Sequence, residues 1–297
     1  MLRGLALHAV TTCRFARASE LGHALVAAGR SDRTALVEGE YVLGVTTFWR
    51  GDFSGAEHHL ARAIEEYQPA DSPLHIARYA QDPKGVCLSR LALTRLFRGQ
   101  RKQADHTMDE ALRHVTELDH PMTTAYVYAF VAFLAALDPD HRDLAASVAA
   151  LRAVTAEMHI GYFEPLARSL QGWRDVLDGD FGAIEAMREV TEFWRREQPL
   201  HLTFGLSLLA RAYLRAGDPE AGRAVVADAL RWTENTGQAY LLAELLRIDG
   251  ELLALGSDGE TAGVTCSRAL DVAHEQDSPF LSERVLATLA CLRAVPG

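Results

Sequence analysis

The chain has 297 residues, 48% hydrophobic and 24% charged, which is ample material for a core and carries no signature of disorder. Its 40 acidic residues outnumber 30 basic ones, for a formal net charge of −10 with histidine neutral. No Lys/Arg run exceeds a pair such as Arg101-Lys102, which argues against a direct nucleic-acid interface, and the longest apolar run, Ala125 to Leu137, is too short to cross a membrane.

In chain order, the apolar stretches pair into helical hairpins. The first covers about 1–29. Its opening residues Leu2, Leu5, Leu7 and Val10 have no polar cap, so the chain reads as starting inside a repeat, with an apolar edge suited to self-association or to a larger partner. The second, 33–67, turns at Trp49-Arg50-Gly51-Asp52 and restarts at Ala56. The segment from Gln68 to Pro83, with Pro69, Pro73 and Pro83, breaks the rhythm and is read as a long irregular insertion. Hairpin 84–117 turns at Arg98-Gly99-Gln100, and hairpin 121–158 at Asp138-Pro139-Asp140. Hairpin 162–196 turns at Leu177-Asp178-Gly179-Asp180, 200–235 at Ala216-Gly217-Asp218, and 238–274 at Leu255-Gly256-Ser257-Asp258. A last helix spans 278–293.

The turns set a period. Gly179 and Gly217 lie 38 residues apart, Gly217 and Gly256 39, and Pro139 lies 40 from both Gly99 and Gly179. Two helical stretches per period near 40 mean stacked hairpins: an all-α, tetratricopeptide-like, right-handed solenoid of about seven hairpins in a single domain. Local chemistry agrees. In Asp218-Pro219-Glu220-Ala221, Asp218 is placed to cap the free N–H groups of the next helix and Pro219 sits where a missing N–H costs nothing. Gly51, Gly99, Gly179, Gly217 and Gly256 are placed to take the left-handed conformation that ends a helix.

No catalytic constellation emerges. There is no GxxxxGK[ST], GxGxxG or GxSxG, and His274-Glu275 begins an HExxH that fails at Ser278. The four cysteines form no CxxC, so neither a zinc site nor a disulfide framework is expected, and reduced thiols suit a cytoplasmic protein. His58 and His59 are adjacent, and His114 and His120 are six apart, spacings that place each pair on different faces of a continuous helix. No cofactor or metal is expected. Trp49, Trp173, Trp194 and Trp232 read as packing between repeats. Arg90, Arg95, Arg168, Arg211 and Arg247 lie on first helices, either solvated or facing the inner surface to meet acidic groups.

The stretch Tyr41 to Tyr67, YVLGVTTFWRGDFSGAEHHLARAIEEY, and Tyr79 to Leu88, YAQDPKGVCL, resemble the C-terminal repeats of large bacterial signalling proteins. Those proteins join a class III adenylate/guanylate cyclase domain to a P-loop signal-transduction ATPase ahead of tetratricopeptide-like repeats. Similar repeats end ATP-dependent transcriptional regulators. The resemblance continues through Gly172-Trp173, Leu208 to Tyr213 and Ala243 to Leu253. The family loop tends to read YGQDPGV; here Ala80 stands in place of the glycine and Lys84 intervenes between Pro83 and Gly85. The cyclase and ATPase domains have no counterpart in these 297 residues.

Together these readings suggest a non-catalytic interaction or regulatory module that binds a protein or peptide partner along its concave surface. The alternative is a sensor for a small ligand or peptide in the groove; an enzyme with a site between helices ranks last. The 68–83 segment is the candidate site, expected to fold over the groove, with Tyr79, Gln81 and Asp82 foremost and His75 and Arg78 beside them.

Overall fold

Aspartates start many of the helices. In the computed structural model, which describes residues 1–294, Asp32, Asp52, Asp82, Asp143, Asp218 and Asp258 each accept a backbone N–H from the first turn of the helix that follows. Among the described residues there are sixteen α-helices and no strand. They run α1 (Leu2–Thr11), α2 (Phe15–Ala28), α3 (Arg33–Trp49), α4 (Phe53–Glu66), α5 (Ser72–Tyr79), α6 (Pro83–Phe97), α7 (Arg101–Leu118) and α8 (Pro121–Leu137). Then come α9 (Leu144–Glu157), α10 (Glu164–Leu177), α11 (Ala183–Glu197), α12 (Leu202–Ala216), α13 (Pro219–Thr236), α14 (Leu242–Leu255), α15 (Gly259–Glu275) and α16 (Pro279–Ala294).

The fold is an all-α helical-hairpin solenoid. Each of α3, α6, α8, α10, α12 and α14 packs against the helix that follows it and against the next first helix along the array. Much of this inner row is buried on nearly every face, with Val86 to Thr94 on α6 and Val127 to Leu137 on α8 largely inaccessible, whereas α10 exposes Glu164 and Arg168. The outer helices are amphipathic and bury one stripe, such as Met187, Val190 and Trp194 on α11. Trp49, Trp173 and Trp194 are inside, whereas Trp232 is half-buried.

The array also closes on itself. The last-turn carbonyls of α3, α6 and α8 have no partner within their own helices, and donors from the C-terminal half satisfy several of them. Tyr240 N–H donates to the Trp49 carbonyl at 3.3 Å and Ser278 Oγ to the Phe97 carbonyl at 2.7 Å. Arg211 and Arg284 reach the carbonyls of Ala136 and Leu137, each at 3.4 Å, placing two cations at the negative end of α8. Aromatic rings fill the space between. Tyr240 packs on Trp49 at 4.6 Å, Phe280 on Phe97 at 5.7 Å and Phe204 on Phe133 at 4.0 Å between centroids. Arg101 pairs with Glu283 at 3.0 Å on the rim. One half of the concave surface is therefore core, not groove.

Three local expectations are corrected. The 68–83 segment is not irregular: a 3-10 turn over Pro69–Asp71 leads into α5, because Pro73 sits in the first helical turn, where proline is tolerated. At the last glycine turn Gly256 has φ −80°, and Ser257 takes the positive angle at 70°. Of the N-terminal apolar edge, Leu2 and Leu5 are exposed, but Val10 is buried and Leu7 packs against the core.

Candidate functional site

The half of the concave surface left open is a cavity of about 320 Å³. Its walls come from elements far apart along the array. Leu7, Val10 and Thr11 of α1 form one side, and Leu200 and His201, in the 3-10 turn before α12, face them. Tyr41 and Val45 of α3, Arg90 of α6, and Tyr126 and Phe130 of α8 line the interior. These residues fall in the first two or three turns of α8 and mid-way along α3 and α6, above the aromatic plug at the helix C-termini. Tyr79, Ala80 and Gln81 contribute a further wall, as do the exposed Met122 and Tyr162 and the buried Phe163.

Local chemistry places that wall. Helix α5 ends on Ala80, which adopts the left-handed conformation at φ 58°, ψ 21° and donates its N–H to the Ile76 carbonyl at 2.8 Å. That backbone favours glycine. Two residues on, Asp82 fixes the start of α6, its Oδ1 accepting from Lys84 N at 3.0 Å and Gly85 N at 3.2 Å. Gln81 is held between these anchors and projects to the cavity wall.

Asp82 is fully buried and serves as a hub. Its Oδ2 accepts from Tyr67 Oη at 2.8 Å and Ser72 Oγ at 2.6 Å, His114 Nε2 lies 2.8 Å from Oδ1, and its N–H donates to Thr123 Oγ1 at 2.9 Å. Burial alone would push the carboxyl up, but the hydrogen bonds from His114, Ser72 and Tyr67 outweigh it and hold the group down to about 2. Because the folded value lies below the unfolded one, the stabilisation is complete above pH 3.8 and is lost as pH falls through about 2. Wild type is therefore expected to lose roughly 2 kcal/mol between pH 4 and pH 2 that an Asp82→Asn variant does not lose. Urea titrations at a series of pH values measure both slopes, and parallel slopes would contradict the role given to Asp82.

The other sequence-expected residues divide. Tyr79 and Gln81 reach the cavity. His75 is buried, with Nδ1 2.7 Å from Glu38 Oε1. Glu38 also accepts from Arg3 Nε at 2.7 Å, and the Arg3 guanidinium lies over the Tyr41 and Tyr79 rings. Arg78 points away, donating to Asp32 Oδ2 at 3.4 Å and Thr34 Oγ1 at 3.3 Å. Asp82 and His75 thus hold α5 in place, Arg78 lies on the surface, and of the five only Tyr79 and Gln81 line the cavity.

Arg90 and Gln81 bring N–H donors to the cavity, beside tyrosine hydroxyls that both donate and accept. Arg90 is 5% exposed, its Nε donates to Tyr126 Oη at 2.5 Å, and its Nη1 has no hydrogen-bond partner. Gln81 Nε2 and His201 Nδ1 also lack one. Burial first, and the charge of Arg90 second, hold the His201 imidazole down to about 4, so it is neutral at pH 7. No carboxylate, thiol or lysine lines the cavity.

No family model matches the chain, and no curated protein matches it. Among solved structures it is similar to a tetratricopeptide repeat protein from Parabacteroides merdae ATCC 43184, at 11% identity and a TM-score of 0.47, covering 98% of this chain and 97% of that one.

Sequence reading singled out Arg90 but missed the aromatic wall. The signal was present as Tyr126 and Phe130 one helical turn apart on α8, and Tyr41 and Val45 likewise on α3. Arg247 is likewise not solvated: it is buried against Glu244 and Glu251.

Proposed function

We propose that the chain is a non-catalytic regulatory module that senses a small ligand in the cavity between α1 and the turn before α12. The observation that carries this reading is the cavity itself: apolar and aromatic walls, a few convergent polar groups without partners, and a volume of about 320 Å³, at the lower end of small-molecule sites. Tyr79 and Gln81 belong to the site, and Asp82 and His75 position them. A peptide laid along the groove would compete with the chain's own aromatic plug, so a protein partner meets the outer faces instead. The resemblance to repeats of cyclase–ATPase signalling proteins supplies the context, a bacterial regulatory system in which ligand occupancy is relayed to a partner. The physical basis of the relay is that a ligand touching both α1 and the turn at Leu200-His201 favours the closed arrangement by its differential affinity for it.

The probe that tests this is N-phenyl-1-naphthylamine, an uncharged dye that brightens in apolar surroundings. Wild type is expected to give a saturable one-site signal, and Thr11→Trp, which fills the mouth from α1, is expected to remove it with the melting temperature unchanged. A signal of equal strength and affinity in the Thr11→Trp variant, or no saturable signal in wild type, would count against the cavity as a ligand site.

A further inference from the structure

Three arginines of the described chain are less than a tenth exposed: Arg3, Arg90 and Arg247. Arg3 holds Glu38 at 2.7 Å, and Arg247 holds Glu244 at 2.8 Å. Arg90 holds no carboxylate among the described residues. Its charge is instead surrounded by rings, with Cζ 4.5 Å from the centroid of Phe130, 5.0 Å from Trp49 and 5.6 Å from Tyr126. Ring faces offset part of the cost of burying a cation and fix the plane of the guanidinium. They leave Nη1 without an acceptor. A buried unpaired charge is costly to a fold and is ordinarily paired or absent.

We infer that the cavity takes a small amphipathic carboxylic acid, its carboxylate paired with Arg90 and its aromatic or branched apolar body against Tyr41, Tyr79, Tyr126 and Tyr162. This rests on the reading of the cavity as a ligand site and adds the charge and shape of the ligand. The unpartnered groups agree in sign. Arg90 Nη1 and Gln81 Nε2 are N–H donors that lack an acceptor, and a carboxylate supplies one. A single guanidinium matches a monoanion; a phosphate dianion would keep one charge uncompensated in an apolar enclosure. The cavity size sets the body at a fragment-like dozen or so heavy atoms, roughly the lower limit of small-molecule pockets.

The test uses the full chain, labelled with nitrogen-15, and two isosteric probes: 4-phenylbutyrate and its uncharged amide, 4-phenylbutanamide. The acid is expected to bind at least tenfold more tightly than the amide and to shift the Gln81 side-chain amide together with backbone signals at Tyr79 and His201. In Arg90→Met the acid is expected to lose its advantage over the amide. The same variant is expected to melt no lower than wild type, because it removes an unpaired buried charge. Equal binding of acid and amide by wild type would overturn the carboxylate assignment and leave the cavity reading standing. Binding of neither would overturn both. The wild-type acid-to-amide ratio decides the matter without any variant, so it holds even where Arg90→Met fails to fold.

Discussion

Phe97→Ala is expected to lower the unfolding free energy by about 3–5 kcal/mol, the range for deleting a fully buried aromatic ring. Phe97 has no exposed surface and sits where the ends of the array meet: its ring lies 4.6 Å from Phe53, 5.5 Å from Phe48, 5.7 Å from Phe280 and 6.2 Å from Tyr240. Two of those neighbours come from within its own stretch of the solenoid and two from the far end. The cavity left by alanine would open between them, where neither side can collapse without dragging a helix. Phe181, 44% exposed, provides the control, and its replacement by alanine is expected to change stability by no more than about 0.5 kcal/mol. Closure has a second consequence. An open solenoid unfolds as loosely coupled repeats, whereas an array whose ends share a core is expected to unfold in one transition. Urea denaturation of wild type and both variants measures all of this. A Phe97→Ala cost close to that of Phe181→Ala would mean that the junction is not part of the core.

The second large effect is expected at Glu38. This carboxylate is 0% exposed and bridges three helices, accepting from Arg3 Nε of α1 at 2.7 Å while its other oxygen lies 2.7 Å from His75 Nδ1 of α5. Removing one partner of a buried pair strands the other, at a cost of about 3–5 kcal/mol. Glu38→Leu leaves the Arg3 guanidinium buried over Tyr41 and Tyr79 with no counter-charge. Adding Arg3→Met to Glu38→Leu is expected to recover the part of the loss that comes from the stranded charge, with His75 Nδ1 still lacking its partner. Thermal or chemical denaturation of the single and double variants checks both statements. A Glu38→Leu cost below about 1 kcal/mol, or a double variant no more stable than the single one, would show that the pair is not what binds α1 and α5 to α3.

The helical hairpins were legible because their signals are local. Asp218 caps α13 through Ala221 N at 3.0 Å, with Pro219 at the first helical position, and Gly51, Gly99, Gly179 and Gly217 all carry positive φ. What was not legible depends on contacts distant in sequence or on a break in a local pattern. Ser278 and Phe97 lie 181 residues apart, and no periodicity predicts that one donates to the other. His114 and His120 were assigned to different faces on the premise of a continuous helix. The helix ends at Leu118, Asp119 turns left-handed at φ 50°, and His120 swings back so that Thr123 links it to the Asp82 hub that His114 also meets. Within the candidate segment, Tyr79 and Gln81 could be named from their place in an insertion. That Asp82 and His75 face inward could not, since burial there is decided by Tyr67, His114 and Glu38 on other helices.

The cavity and the aromatic plug both depend on closure of the array. Small-angle X-ray scattering of the chain at low concentration tests it most directly. A closed array of 297 residues is expected to show a radius of gyration of about 19 Å, with a single-peaked, nearly symmetric distance distribution. A radius larger by several ångströms with a long tail in that distribution would show an open solenoid, with Tyr240 and Phe280 apart from Trp49 and Phe97 and no enclosed site around Arg90.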